Sequence, residues 1–544
     1  MLNKINIQLI ILFTSVISFC FFMTLSNSVF SNDIDEALII AGMINVPDTN
    51  SPQLEIFSNS KSLLNYFISV LLKVGFSVYA TSNIILFIST LFFFIGIYLV
   101  LKNLISLISK RYTKLISFFS TCLFIISDTN LPHTDYPNAF FGSFSAGLYS
   151  IAITTLIFGL IIEGKKKLII FFSITLFLFH PVQGLWIISL LILMMIIDKI
   201  FILKKFDKTD FKKIILLISP LFLIVILFIF NSVIDDESIV DIDLVKIWLK
   251  NWEYHRNNLE IRYSYLKPTI LLLFLSILCF MIFKKHKETN LYRFYLFLIL
   301  TILLSTLIYI GYKIFYNYLP LFIISPMPTR VINTHAIIAY PMIIISSIYL
   351  VNHFSKFIKI NSKYILIIFC FSLLAFYIFN HNSSSLNARL DRIYKMRFES
   401  NFLNFVHNLK SRDYNFYDVN FWNKVKSLDD NSYTIVTFST ENLTYRYANL
   451  PYIIKISSFD YVLYYPWTAK QTFSILEKIY GVDINKDKEL LSENNIKINF
   501  EKKINEEWKQ IKQNFNTKYV IVPSNWNLDL KEILSNDEFK VYEI

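Results

Sequence analysis

The stretch Ser82–Ile108, SNIILFISTLFFFIGIYLVLKNLISLI, carries a single charge at Lys102 and runs directly into Lys110, Arg111 and Lys114. An apolar block of more than about twenty residues is long enough to cross the hydrocarbon core of a bilayer. A basic cluster at one end only is the charge bias of a span whose basic end stays in the cytosol. This one segment therefore sets both the solvent and the orientation of the chain.

Similar blocks recur on both sides of it. The first runs from Ile7 to Val29, too long for the apolar region of a cleaved signal and without an A-x-A site, so it is expected to be retained. Others fall near 115–127, 146–162, 168–181, 185–203, 214–232, 266–283, 291–313, 331–351 and 364–380. With the opening pair they make about eleven spans by hydropathy. Two further segments, Ala37–Val46 and Ser62–Phe76, read as amphipathic or half-inserted.

The bulk numbers agree. The 544 residues are 54% hydrophobic and 17% charged, with a mean hydropathy of +0.49. Soluble domains are nearer a quarter charged. An ordinary cytosolic enzyme, a disordered chain and a disulfide scaffold are excluded. Phe (53) and Tyr (32) are abundant against only 10 Gly, a bias that an AT-rich coding sequence explains. The net charge of +12 lies in short clusters beside apolar spans, which is not a nucleic-acid face. The four cysteines, Cys20, Cys122, Cys279 and Cys370, lie within apolar spans and form no metal or disulfide motif.

The loops alternate in sign. Lys165–Lys167, then Lys204, Lys205, Lys208, Lys212 and Lys213, then Lys284, Lys285 and Lys287, then Lys356, Lys359 and Lys363 mark one side. Asp33, Asp35 and Glu36, then Asp128 and Asp135, then Asp235, Asp236 and Glu237 mark the other. The expected topology is a multi-pass protein of a bacterial inner membrane, with its N-terminus cytoplasmic and its C-terminal domain periplasmic or extracellular. Two units follow: a transmembrane helical unit over residues 1–381 and an extracytoplasmic α/β unit over 382–544. In the latter, Thr434–Phe438, Tyr452–Ile456, Lys518–Pro523 and Phe539–Glu543 read as strands. Thr472–Tyr480, Ile504–Phe515 and Leu528–Leu534 read as amphipathic helices.

No dinucleotide, Walker, zinc-protease or nucleophile-elbow motif is present, and with so few glycines a phosphate-cradling loop is not expected. The most informative polar stretch is Asp33-Ile34-Asp35-Glu36, directly after the first span on the outer side. Three carboxylates there suit a general base for an acceptor hydroxyl, and crowding near a low-dielectric boundary raises some of their pKa values. A solvated acidic loop that merely obeys topology is the alternative.

An acidic group just past the first span, a half-inserted first outer loop, many spans and a C-terminal outer domain together resemble the GT-C superfamily. These are membrane glycosyltransferases that use polyprenyl-phosphate-linked sugars. The resemblance covers the layout of roughly residues 1–380. It implies a catalytic acid among Asp35, Asp33 and Glu36, and a second acidic residue in the next outer loop. That loop supplies Asp128, His133 and Asp135, whose neighbouring Pro residues equally suit plain turns.

His180, in His180-Pro181-Val182-Gln183-Gly184, sits between two short apolar spans, where an ionisable residue is costly. A departing lipid phosphate also needs cationic or hydrogen-bond stabilisation. Among the acidic outer loops the cations that stand out are Arg330, and His255 with Arg256. Arginine contacts phosphate in bidentate fashion, whereas interfacial snorkelling is its other common role. Trp248, Trp252, Tyr254, Trp467, Trp508 and Trp526 are sugar-stacking candidates, or core and interface residues.

The sequence thus reads as an outward-facing hexosyl- or pentosyltransferase. Its donor would be a polyprenyl-phosphate sugar in membrane lipid, and its acceptor a glycan, lipid or protein. The donor is a substrate rather than a resident cofactor, and a divalent-metal requirement stays open. The rivals are a lipid or polysaccharide transporter or flippase, and a non-catalytic membrane assembly protein.

Overall fold

The computed structural model describes residues 2–25, 34–47, 51–59, 62–110, 112–127, 146–204, 207–219, 242–252, 261, 263–324, 327–358, 364, 367–368, 371–372, 418–428, 431–486 and 491–544. It is mostly helical, with one small sheet near the C-terminus.

Helix α1 (Leu2–Leu25) is followed by three short helices, α2 (Ile34–Ile40), α3 (Pro52–Ser58) and α4 (Leu63–Lys73). Then come α5 (Val78–Ser106), α6 (Thr113–Ser127), α7 (Ala146–Ile162), α8 (Lys166–Phe179) and α9 (Pro181–Ile196). Beyond them lie α10 (Ile242–Asn251), α11 (Tyr263–Lys285), α12 (Thr289–Phe315) and α13 (Asn333–Ile358). Among the described residues, five helical stretches are long and apolar enough to cross a membrane: Ala80–Ser106, Pro181–Ile202, Leu266–Lys285, Thr289–Tyr318 and Pro328–Phe354. Ile10–Thr24, Thr113–Ile126 and Gly147–Ile162 are apolar but shorter. The expected span at 214–232 lies mostly outside the described residues, as does most of 364–380.

Of the two segments read as amphipathic or half-inserted, Ser62–Phe76 is helical over Leu63–Lys73, whereas Ala37–Val46 is helical only up to Ile40 and continues as a turn. On α4, Leu64, Ile68 and Leu72 are buried against the protein, whereas Leu63, Tyr66, Phe67 and Val70 are exposed. An apolar stripe turned away from the protein at i, i+3, i+4, i+7 spacing suits a helix lying at a membrane interface.

Helices α5 and α7 pack most closely, and glycines set their distance. A Cβ on Gly96 would stand 2.4 Å from the Thr155 carbonyl oxygen, and one on Gly159 would meet the Gly96 backbone at 2.8 Å. Small residues let membrane helices approach backbone to backbone. Gly96→Ala must push the pair apart and is expected to cost about 1–3 kcal/mol. Thermal unfolding in detergent checks this; an unchanged midpoint would contradict it.

The C-terminal unit contains α14 (Val419–Lys426), β1 (Tyr433–Ile435), α15 (Glu441–Arg446), α16 (Ala469–Ile475), α17 (Glu493–Lys502) and α18 (Asn505–Phe515). Strands β2 (Thr517–Pro523), β3 (Lys531–Ser535) and β4 (Phe539–Glu543) complete it. The sheet order is β1-β2-β4-β3; β1 and β2 are parallel and the other pairs antiparallel. The expected helix at Leu528–Leu534 is instead a loop leading into β3, because Lys531–Ser535 pairs with β4. The expected strand at Tyr452–Ile456 forms only a single bridge, Thr434 to Tyr452. Phe500 packs edge-on against Trp508 and Trp526, so those two tryptophans are core.

Candidate functional site

The segment that follows α1 and the C-terminal unit are joined by a buried ion cluster. Asp35, in the first turn of α2, accepts from Lys455 Nζ at 2.7 Å on one carboxylate oxygen and from Arg446 Nε at 3.2 Å on the other. The three residues are 2%, 6% and 6% exposed. Tyr445 Oη donates to the Asp35 carbonyl, Tyr433 Oη to that of Pro47, and Gln53 Oε1 accepts the Lys455 N–H. Trp252 Nε1, just past α10, donates to the Lys486 carbonyl. The segment after α1 is thus a seat for the C-terminal unit.

Charge crowding predicts a raised pKa in this loop; Asp35 goes the other way. Burial pushes its carboxyl up, but the Lys455 and Arg446 charges and their hydrogen bonds outweigh that and hold it below its ordinary value. With both oxygens taken by cations, Asp35 presents no open face to a substrate. Glu36 is only partly buried and accepts from Asn65 Nδ2. It lies near Tyr465, whose phenol is pushed up by burial and by the Glu36 charge.

Glu441, on α15 beside the same cluster, is the group that is raised. Burial lifts it to about 6, opposed by Lys455 and the Ser457 hydrogen bond and aided by the Asp35 charge. A carboxyl with a raised folded pKa binds more protons folded than unfolded, so it favours the fold at low pH. Its contribution, about 2 kcal/mol, is expected to fall away as pH rises from 4.5 to about 6. Asp35 acts oppositely, and its contribution is lost only as pH falls below 3.8 through its depressed pKa. Chemical denaturation across this window, compared with Glu441→Gln, reads the slope; an identical slope in the variant would contradict the assignment.

A cavity of about 60 Å³ brings together His180, Gln183, Arg330, Asn333 and Tyr464. His180 lies between α8 and α9, where Pro181 starts the second helix and Gly184 lets it pack onto Phe177; a Cβ there would come within 2.1 Å of Phe177 Cα. His180 Nδ1 accepts the Gln183 N–H at 3.3 Å, which leaves Nε2 to carry the proton and donate. Arg330 sits in the 3₁₀ turn Pro328–Ile332 that precedes α13. The preceding Met327 is buried in the left-handed region at φ 47°, a costly conformation for a non-glycine residue that its surroundings must hold.

Below the cavity, Gln183 Nε2 donates to Thr334 Oγ1 at 3.0 Å, and the fully buried His335 meets Ser305 at 3.1 Å. Tyr464 of the C-terminal unit also lines the cavity, and Tyr464, Tyr465 and Trp467 are 47%, 42% and 37% exposed.

Of the residues singled out in the sequence, His180 and Arg330 share one cavity. Glu36 does not line that cavity; its charge reaches Tyr465, the chain neighbour of the lining Tyr464. Asp35 belongs instead to the ion cluster. Asp33, Asp128, His133, Asp135, His255 and Arg256 lie outside the described residues. Arg446 and Lys455 escape sequence reasoning, although Lys455 interrupts the apolar run Tyr452–Ile456 and a buried lysine there demands a carboxylate partner. Among the described residues no three His, Cys, Asp or Glu side chains converge as a metal site requires. Comparison with known protein families finds no matching family, and comparison with curated proteins finds no relative.

Proposed function

We propose that this chain is a membrane glycosyltransferase of the GT-C kind, with about eleven spans. On this reading it moves a hexose or pentose from a polyprenyl-phosphate donor to an acceptor hydroxyl at the extracytoplasmic face. One observation carries the reading. Arg330 and the His180–Gln183 turn, distant from each other in sequence, converge in one cavity at the ends of apolar helices, together with Tyr464 of the C-terminal unit.

In this reading Arg330 and the His180 Nε2–H hold the donor phosphate, and the prenyl chain lies between spans. Tyr464, Tyr465 and Trp467 stack on sugar rings. The acceptor oxygen attacks the anomeric carbon as the bond from that carbon to the phosphate oxygen breaks. The phosphate leaves with the electron pair, stabilised by Arg330, and the hydroxyl proton passes to Glu36. The anomeric configuration inverts. Asp35 seats the C-terminal unit over the site rather than acting as the base.

Binding of polyprenyl phosphate to the purified chain tests the phosphate site. Loss of one charged hydrogen-bonding partner is worth about 1.5–3 kcal/mol, so Arg330→Ala is expected to weaken binding roughly 10- to 150-fold. Arg330→Lys should fall between, because lysine keeps the charge and loses the fork. Equal affinity in all three proteins would remove Arg330 from the site.

A lipid or polysaccharide carrier is the second reading, favoured by the buried polar track Gln183–Thr334 and His335–Ser305 within the bundle. Binding of a labelled lipid-linked sugar without release of lipid phosphate in any acceptor mixture would favour the carrier.

A further inference from the structure

At the opposite, lysine-rich end of the bundle a second cavity, of about 100 Å³, opens between α7, α8, α9 and α12. Six charged side chains line it: Lys166, Lys199, Lys213 and Arg293, with Asp198 and Asp210. The two carboxylates are buried and fix three of the cations. Asp198 takes Arg293 through Nε at 2.8 Å and the terminal nitrogen at 2.7 Å, and accepts from Tyr292 Oη at 2.6 Å. Asp210 takes Lys199 at 2.8 Å and Lys213 at 3.0 Å.

The lining therefore carries two positive charges in excess, and three of its four cations are held in place. Lys166 is exposed and makes no ion pair among the described residues. Asp198 and Lys199 stand in a π-helical turn, Ile197–Ile202, that continues α9, a local distortion often found at functional sites. The remaining wall is apolar, including Leu191, Met194, Met195 and Leu217. On the elements that supply the charges, Phe201, Phe211 and Ile215 are exposed at 71%, 56% and 51% and turned away from the protein.

We infer that this cavity is a binding site for the phosphate headgroup of an anionic membrane lipid, in the leaflet at the lysine-rich end. Excess positive charge, with three of the four cations already fixed, selects a phosphate. The apolar wall and membrane-facing aromatics at the ends of spans favour a lipid over a soluble phosphate, since they offer acyl chains a path that a free anion does not use. The site is independent of the glycosyltransferase reading, lying at the other end of the same helices.

The test places the full-length protein in nanodiscs of phosphatidylcholine and titrates fluorescent phosphatidylglycerol. Phosphatidylglycerol is expected to bind in preference to phosphatidylcholine. Each lysine near a membrane surface contributes about 1 kcal/mol, so Lys166→Gln and Lys213→Gln should each weaken it about fivefold. Inorganic phosphate is expected not to displace it. Lys166→Gln removes no ion pair among the described residues, so its effect is separable from folding. Equal affinity for both lipids, unchanged binding in Lys166→Gln, or displacement by inorganic phosphate would each overturn the inference.

Discussion

Asp35→Asn is expected to destabilise the attachment of the C-terminal unit by about 3–5 kcal/mol, the cost of stranding buried charge when one partner of a buried ion pair is removed. The substitution keeps the volume and leaves Arg446 and Lys455, each 6% exposed, without their carboxylate. Limited proteolysis between the two units should accelerate, and on the proposed function lipid-phosphate release should fall with it because Tyr464 no longer lines the cavity. A base would behave differently. If Asp35 were the proton acceptor, Asp35→Asn would abolish turnover while leaving the protease pattern and unfolding midpoint unchanged. A compensating set separates the cases further: Asp35→Leu with Arg446→Met and Lys455→Met removes the whole buried cluster, and such replacements are often close to neutral in stability. Recovery of turnover in that variant would establish Asp35 as a seat, and continued loss with a restored fold would return it to chemistry.

Glu36→Gln carries the second large effect. General-base catalysis contributes about 10²- to 10⁴-fold, so the variant should lose turnover by that factor. Asn65 can still hydrogen-bond to the glutamine, so folding should be preserved. Donor binding, which the proposed function assigns to Arg330 and His180, should be unchanged. A drop in donor affinity equal to the drop in rate would instead make Glu36 a binding residue.

Much of the bundle is legible from hydropathy alone, because long uncharged runs have few alternatives to helix. The α8–α9 hairpin is announced by His180-Pro181 and the Gly184 that follows, and both helices lie where the apolar runs end. The C-terminal unit is less legible. Lys531–Ser535 is apolar only in part, and its strand character comes from pairing with β4 rather than from local pattern. The site divides in the same way. His180 and Arg330 are visible as ionisable residues at the ends of apolar runs, where charge is costly. The role of Asp35 is not visible, because an acidic cluster after a span looks the same whether it faces solvent or two cations more than 400 residues downstream. Only tertiary contact decides which way its pKa moves.

The central claim is that the rim cavity holds a lipid phosphate while a neighbouring carboxylate activates an acceptor. Incubating the purified full-length chain with radiolabelled polyprenyl-phosphate hexoses and pentoses and a mixture of glycan, lipid and peptide acceptors tests it most directly, with lipid-phosphate release as the readout. The account predicts release by the native chain and its loss in both Arg330→Ala and Glu36→Gln. Release that is unchanged in both variants, or no release from any donor that the native chain demonstrably binds, would contradict it.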